Sequence, residues 1–260
     1  MTGGGAGIGG AVSEALAAAG AHVVVVDVDA EQADQRVDAI TRAGASAESF
    51  VADIRDRTQI ERLGGAVSRL GRLDVLVNNV GHYLRPTRLL DSDEEHWSAL
   101  HDVNLLHVFR CCRTFVPRMI EQRAGSVINV ASVEALRGYP PDPVYGAYKA
   151  AVAHFTRCFA LEVAQHGVRV NAIAPDVTQT VQVDYERSVP ADLRDRWPIW
   201  VPVGHVGVPA DNADVVLFLA SDLSRFVTGH VIPTDGGTLV AGGWFRTVGR
   251  GAWTNRPRNP

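Results

Sequence analysis

Thr2-Gly3-Gly4-Gly5-Ala6-Gly7-Ile8-Gly9 opens the chain, and a helix-patterned segment, Gly10–Ala19, and the run Val23-Val24-Val25-Val26-Asp27 follow it directly. A glycine-rich turn that opens a helix lets backbone amides approach a pyrophosphate, and the helix N-terminus adds its positive dipole end. A flexible N-terminal tail is also glycine-rich; the helix and the buried-strand pattern behind the glycines argue against that reading. Asp27 ends the strand 18 residues after Gly9. That is close to the ~20 at which an acidic residue meets an adenosine ribose diol. A carboxylate there repels a 2′-phosphate, and no Arg or Lys lies in the glycine turn or directly after Asp27. The expected cofactor is therefore NAD rather than NADP.

Outward from this stretch, apolar runs alternate with amphipathic segments. The runs are His22–Asp27, Ser46–Val51, Leu73–Val77, Ser126–Val130, Val168–Ile173 and His230–Pro233. Helical periodicity covers Glu31–Arg42, Arg57–Leu70, His96–Glu121, Tyr145–His166 and Asp211–Ala220. Continuous Val/Ile runs between helices indicate strands buried on both faces, hence an α/β fold with a doubly wound parallel sheet. Residues 1–240 read as one Rossmann-like domain, and 241–260 as a C-terminal tail.

The chain has 260 residues, 46% of them hydrophobic and 21% charged, with a net charge of -4. These values describe an ordinary globular protein and give no global attraction to nucleic acid or anionic membranes. No apolar run approaches the roughly 18 residues that span a bilayer, and no secretion signal opens the chain. Cys111, Cys112 and Cys158 make neither a disulfide framework nor a zinc spacing, so a reducing cytoplasm is expected. The nine histidines share no ligand spacing, and no metal is expected.

Lys149 is the only lysine; every other basic side chain is an arginine. A composition that trades Lys for Arg elsewhere keeps Lys where a compact ammonium with a movable pKa is needed. Tyr145 stands four residues earlier, on the same helix face. An ammonium there stabilises phenolate and lowers a pKa of about 10, which makes a tyrosine a general acid/base. Tyr148, adjacent to Lys149, points away from it and reads as packing.

With Thr-Gly-x-x-x-Gly-x-Gly, Asn78-Asn79-Val80-Gly81 and Tyr-x-x-x-Lys in this order, the chain resembles the short-chain dehydrogenase/reductase family over nearly its whole length. The resemblance implies a catalytic set of Asn104, Ser132, Tyr145 and Lys149. It also implies cofactor contacts at Gly3, Gly5, Gly7, Ile8, Gly9, Asp27, Asp53, Ile54, Asn79, Gly81, Pro175, Thr178 and Thr180, besides Tyr145 and Lys149. Ser132 could instead merely cap the segment after its strand, and Asn104 could be a buried asparagine satisfied by backbone. The implied reaction is hydride exchange between nicotinamide and a carbinol carbon, with Asn104 linking Lys149 to solvent through water. Amphipathic segments at His96–Glu121 and Tyr145–His166 look like those that pair subunits in related enzymes, implying a homotetramer or homodimer.

Two positions depart from the family pattern. Asp176 replaces the glycine that follows Pro175, which puts the Thr178 and Thr180 contacts in question. Met1 sits where the first strand should already be ending. The native chain is accordingly expected to carry about six to ten further residues upstream. Residues 181–209 are the expected substrate lid. Four of the five tryptophans lie in this lid or the tail, as Trp197, Trp200, Trp244 and Trp253. Such surfaces suit a bulky apolar alcohol or ketone, a steroid, terpenoid or acyl thioester, or else subunit contacts. The alternatives are an NADP-dependent 3-oxoacyl reductase and, in another class, a non-catalytic dinucleotide-sensing regulator.

Overall fold

Every apolar run forms a strand with ends within two residues of those expected. The computed structural model describes residues 1–243, 245–247 and 253–254. Along the chain come α1 (Gly7–Ala18), β1 (His22–Asp27), α2 (Ala30–Arg42), β2 (Ser46–Val51), α3 (Arg57–Ser68) and β3 (Val75–Asn78). Then follow α4 (Glu94–His101), α5 (His107–Gln122), β4 (Gly125–Val130), α6 (Pro143–Val163) and β5 (Val168–Pro175). Two short helices, α7 (Tyr185–Ser188) and α8 (Trp197–Trp200), precede α9 (Pro209–Ala220), β6 (Val231–Thr234) and α10 (Thr238–Ala241). Phe245–Arg246 (β7) pairs antiparallel with Trp253–Thr254 (β8).

β1 pairs with β2, and β3, β4, β5 and β6 pair in that order, all parallel. The two sheets meet through the chain's first residues. Thr2 bridges Val26 in parallel and donates its N–H to Val77 O at 3.1 Å, while Val26 N donates to Met1 O at 2.9 Å. The slot between β1 and β3 is thus held by a two-residue stub, in the place where the glycine turn begins. Thr2 is buried, and its hydroxyl both donates to Val77 O and accepts from Asn79 N.

Apolar side chains cover both faces of the sheet. One core joins Val127, Val170 and Ala172 to Val108, Phe115 and Met119 of α5 and Val152 and Ala160 of α6. The other joins Val25, Val77, Ile128 and Ile173 to Val12 and Leu16 of α1 and Val216 and Leu219 of α9. Aspartates start several helices by accepting backbone N–H groups: Asp29 for α2, Asp56 for α3, Asp93 for α4 and Asp142 for α6.

The expected single helix over His96–Glu121 is two helices joined by a π turn at Asp102–Leu106. The physical cause sits inside that turn. Asn104 Nδ2 donates to Leu100 O, the carbonyl four residues back, at 3.0 Å. A side-chain amide that takes this acceptor competes with the helix's own ladder.

Candidate active site

The C-terminal ends of the parallel strands open into one cleft of about 730 Å³. Of the expected site residues, all but Gly5 and Asn104 line it. Asp27, Asp53 and Ile54 lie at the ends of β1 and β2. The glycine turn, Asn79 and Gly81 form the middle, and Ser132, Tyr145, Lys149, Pro175, Thr178 and Thr180 complete it.

The glycine turn must be glycine for steric reasons. A Cβ on Gly9 would lie 1.9 Å from Gly3 O, and Gly3 has φ of 59°. Asn79 Nδ2 ties this turn to β3 through Thr2 O and Gly3 O, both at 3.1 Å. Among the described residues no side chain caps the start of α1, which leaves amides there for an anionic ligand. Asp27 faces the same cleft. One of its oxygens accepts Gly5 N–H at 3.0 Å and the other accepts Asp29 N–H at 3.2 Å. These features accommodate a dinucleotide with its pyrophosphate at the turn and a ribose at Asp27.

Arg36 is a residue that sequence reading missed. Carried by α2, it donates to Gly5 O at 3.1 Å and pairs with Glu14. Its charge is committed behind the turn. Asp53 is also committed, because Arg55 grips both carboxylate oxygens and holds its pKa below the usual carboxylate range.

Ser132 follows β4, and its hydroxyl accepts Glu134 N–H at 3.2 Å. Tyr145 and Lys149 project from the first turns of α6. Asp142, fully buried, starts that helix and accepts Tyr145 N–H at 3.0 Å. The other Asp142 oxygen has no hydrogen-bond partner among the described residues and stands 3.8 Å from His96 Nε2. Burial lowers Lys149 from 10.5 to about 8. Burial raises Tyr145 well above 10, and the hydrogen bond from Ser132 offsets only part of that rise. The lowering of Tyr145 expected from the Tyr-x-x-x-Lys spacing is therefore reversed in the free protein, because desolvation of the ring outweighs its neighbours.

Gly81 makes room for the lysine: a Cβ there would lie 2.6 Å from Lys149 Nζ. Asn104 donates to His82 O and Leu100 O and accepts His82 N–H. Both its N–H donors are used, which leaves one oxygen lone pair for a water. Thr178 is buried and accepts from Asn212, while the Thr180 hydroxyl accepts Val183 N–H. The Asp176 carboxylate accepts from Arg137 at 3.0 Å and from the Thr238 hydroxyl.

The end of the cleft beyond Ser132 and Tyr145 is lined by tyrosines rather than by the tryptophans expected. Tyr83, Tyr139 and Tyr185 line it, with Glu134, Asp176 and Gln182. Trp197 packs edge-on against Tyr185 at 5.4 Å, behind the lining, and Trp200 meets Phe245 at 5.5 Å. Trp244 lies outside the described residues, and only the backbone of Trp253 is described.

Residues 3–238 match the family model described as "Enoyl-(Acyl carrier protein) reductase". The chain belongs to the short-chain dehydrogenase/reductase family. It is 39% identical over 241 residues to a 3-oxoacyl-[acyl-carrier-protein] reductase of Thermotoga maritima, covering 92% of this chain and 96% of that one. It is 37% identical over 243 residues to galactitol 2-dehydrogenase of Rhizobium johnstonii, covering 91% and 93%. A structure described as a putative NAD(P)-dependent gluconate 5-dehydrogenase from Beutenbergia cavernae, with bound NADP, superposes with a TM-score of 0.85. That protein is 33% identical, with 92% of this chain and 95% of the other covered. Members of this family are oxidoreductases that use nicotinamide dinucleotides. Among the described residues, no helix is long and apolar enough to cross a membrane.

Proposed function

We propose that this protein is an NADH-dependent ketoreductase that reduces a 3-oxoacyl thioester, or a ketone of similar shape, to the secondary alcohol. The observation that carries this reading is the convergence of Ser132, Tyr145 and Lys149 in the cleft whose far end is Asp27. The similarity to the Thermotoga reductase supports the acyl substrate. Asp27 supports NADH over NADPH, since its carboxylate accepts ribose hydroxyls and repels a 2′-phosphate.

Nicotinamide dinucleotide, when bound, supplies the hydride. Gly3, Gly7, Ile8 and Gly9 take the pyrophosphate, Asp27 the adenosine ribose, and Asp53 and Ile54 the adenine. Asn79, Gly81, Pro175, Thr178 and Thr180 surround the nicotinamide half, with Lys149 at its ribose. Ser132 hydrogen-bonds the substrate oxygen. Tyr145, kept protonated by burial, gives its proton to that oxygen as negative charge develops there. Lys149 stabilises the phenolate left behind, and Asn104 links it to solvent through water. General acid catalysis of this kind contributes about 10²–10⁴-fold.

Subunit pairing through α5 and α6 belongs to the same proposal. Phe109, Phe155 and Phe159 form a partly exposed ring ladder with centroids 4.7 and 5.1 Å apart, and Leu161 is exposed nearby. A homotetramer or homodimer would cover them. Free thiols at Cys111, Cys112 and Cys158 support a reducing cytoplasm.

The test is a substrate panel followed at 340 nm with NADH and NADPH: acetoacetyl and longer 3-oxoacyl thioesters, a steroid ketone, and galactitol in the reverse direction. NADH-dependent reduction of 3-oxoacyl thioesters is expected. Equal use of both cofactors would remove the Asp27 argument. Tight NADH binding without turnover of any compound would favour the dinucleotide-sensing regulator.

A further inference from the structure

Glu134 and Asp176 stand on two sides of the substrate end of the cleft, and one guanidinium spans them. Arg137 Nη2 donates to Glu134 Oε1 at 2.9 Å and to Asp176 Oδ2 at 3.0 Å. Both carboxylates line the cleft, whereas Arg137 does not. Thr238 donates its hydroxyl hydrogen to Asp176 from the C-terminal side, and the same oxygen lies 3.3 Å from Asp235 Oδ2. The two carboxylate side chains are only 13% and 11% exposed, so neither can swing into bulk water. Two negative charges against one positive leave this wall net negative.

The same cleft holds Ser132 and Tyr145, with Tyr139 and Tyr185 around them. Burial first, and then the charge of Asp176, raises Tyr185 to about 12; burial and then Glu134 raise Tyr139. The carboxylate field thus penalises negative charge at phenols that surround the reacting position.

We infer that the Glu134–Arg137–Asp176 wall selects substrates by charge. It admits ketones that are uncharged around the reacting carbon and rejects keto acids and sugar acids. A substrate carboxylate held beside Tyr145 meets two fixed like charges on largely buried side chains, where such repulsion is less screened than in bulk water. A neutral carbonyl, hydroxyl or amide meets acceptors on Glu134 and Asp176 and donors on Tyr139 and Tyr185. A 3-oxoacyl thioester satisfies this wall, because its charged groups lie far from the keto carbon. So does a polyol.

This inference rests on Ser132 and Tyr145 being the reacting pair. Its test compares ethyl acetoacetate with acetoacetate on the parent, Glu134→Gln and Asp176→Asn proteins, each shown to be folded by circular dichroism and to bind NADH. The parent is expected to favour the ester by about 100-fold or more in kcat/KM, and each substitution should narrow that ratio by about tenfold. A parent ratio under about tenfold, or a ratio unmoved in both variants, would overturn it. Dissociation constants of both compounds from the enzyme–NADH complex, read by NADH fluorescence, separate the two readings. If neither compound is reduced but the ester binds more tightly, the reaction fails and the charge selection stands. Equal binding, or no binding of the ester, overturns the selection itself.

Discussion

Lys149 Nζ lies 5.8 Å from the centroid of the Tyr145 ring and donates to Val130 O at 3.0 Å. The one lysine of the chain is therefore anchored to the end of β4, beneath the phenol it faces. Its surroundings suit a compact ammonium. Gly81 leaves barely enough space for Nζ, and a planar guanidinium would collide with that turn.

Lys149→Arg keeps the charge and loses the shape. The variant should remain folded and lose at least about 100-fold in kcat, as expected for removal of acid–base support. Steady-state rates at 340 nm beside a thermal melt measure both quantities. Activity within a few-fold of the parent would make the lone lysine an accident of composition.

Asp27→Ala removes the carboxylate at the ribose end. The parent should prefer NADH over NADPH by at least about tenfold, or about 1.4 kcal/mol. In the variant KM for NADH should rise and the preference should shrink toward unity. Kinetics with both cofactors decide it, and an unchanged preference would move the discrimination to another residue.

Asp142 sets the start of the helix that carries Tyr145. Asp142→Ala should cost about 0.5–2 kcal/mol through the lost cap and should lower kcat more than it raises KM, because Tyr145 is then less well placed. Asp142→Asn retains an oxygen for Tyr145 N–H and should recover most of both. Equal kcat in the parent and the alanine variant would confine Asp142 to stability.

His107 is wholly buried beneath the site. Burial, aided by the charge of Lys149, lowers it from 6.5 to about 3. Between pH 6.5 and 3 the unfolded chain binds a proton that the folded one refuses. Its contribution to stability is therefore complete above pH 6.5 and is lost as pH falls, at about 1.4 kcal/mol per unit. Urea midpoints between pH 7 and 5 should show this slope in the parent and a much flatter one in His107→Leu. Matching slopes would assign acid sensitivity elsewhere.

The strands, the glycine turn and the Tyr145–Lys149 pair were legible in the sequence because each is local: a period, a spacing or a steric demand within a few residues. The break at Asn104 was not, since an amide that bonds Leu100 O looks the same in sequence as one facing solvent. The substrate wall was hidden for a different reason. Tyr83, Glu134, Tyr139, Asp176 and Tyr185 come from separate connections after β3, β4 and β5, and only the sheet brings them together. Tryptophan counting pointed instead to Trp197 and Trp200, which pack behind the lining or against Phe245. Arg36 escaped notice because α2 carries it back to the glycine turn. The slot between β1 and β3 was foreseen, and Met1 and Thr2 hold it.

The account stands most directly on Tyr145 as the proton donor. The deciding measurement is the single-turnover rate of NADH oxidation by a 3-oxoacyl thioester in the parent and in Tyr145→Phe, with NADH affinity determined in both. The prediction is NADH binding within about threefold of the parent and a rate reduced by at least about 10²-fold. A Tyr145→Phe enzyme that reduces the ketone at the parent's rate, or a Tyr148→Phe enzyme that is the inactive one, would contradict it.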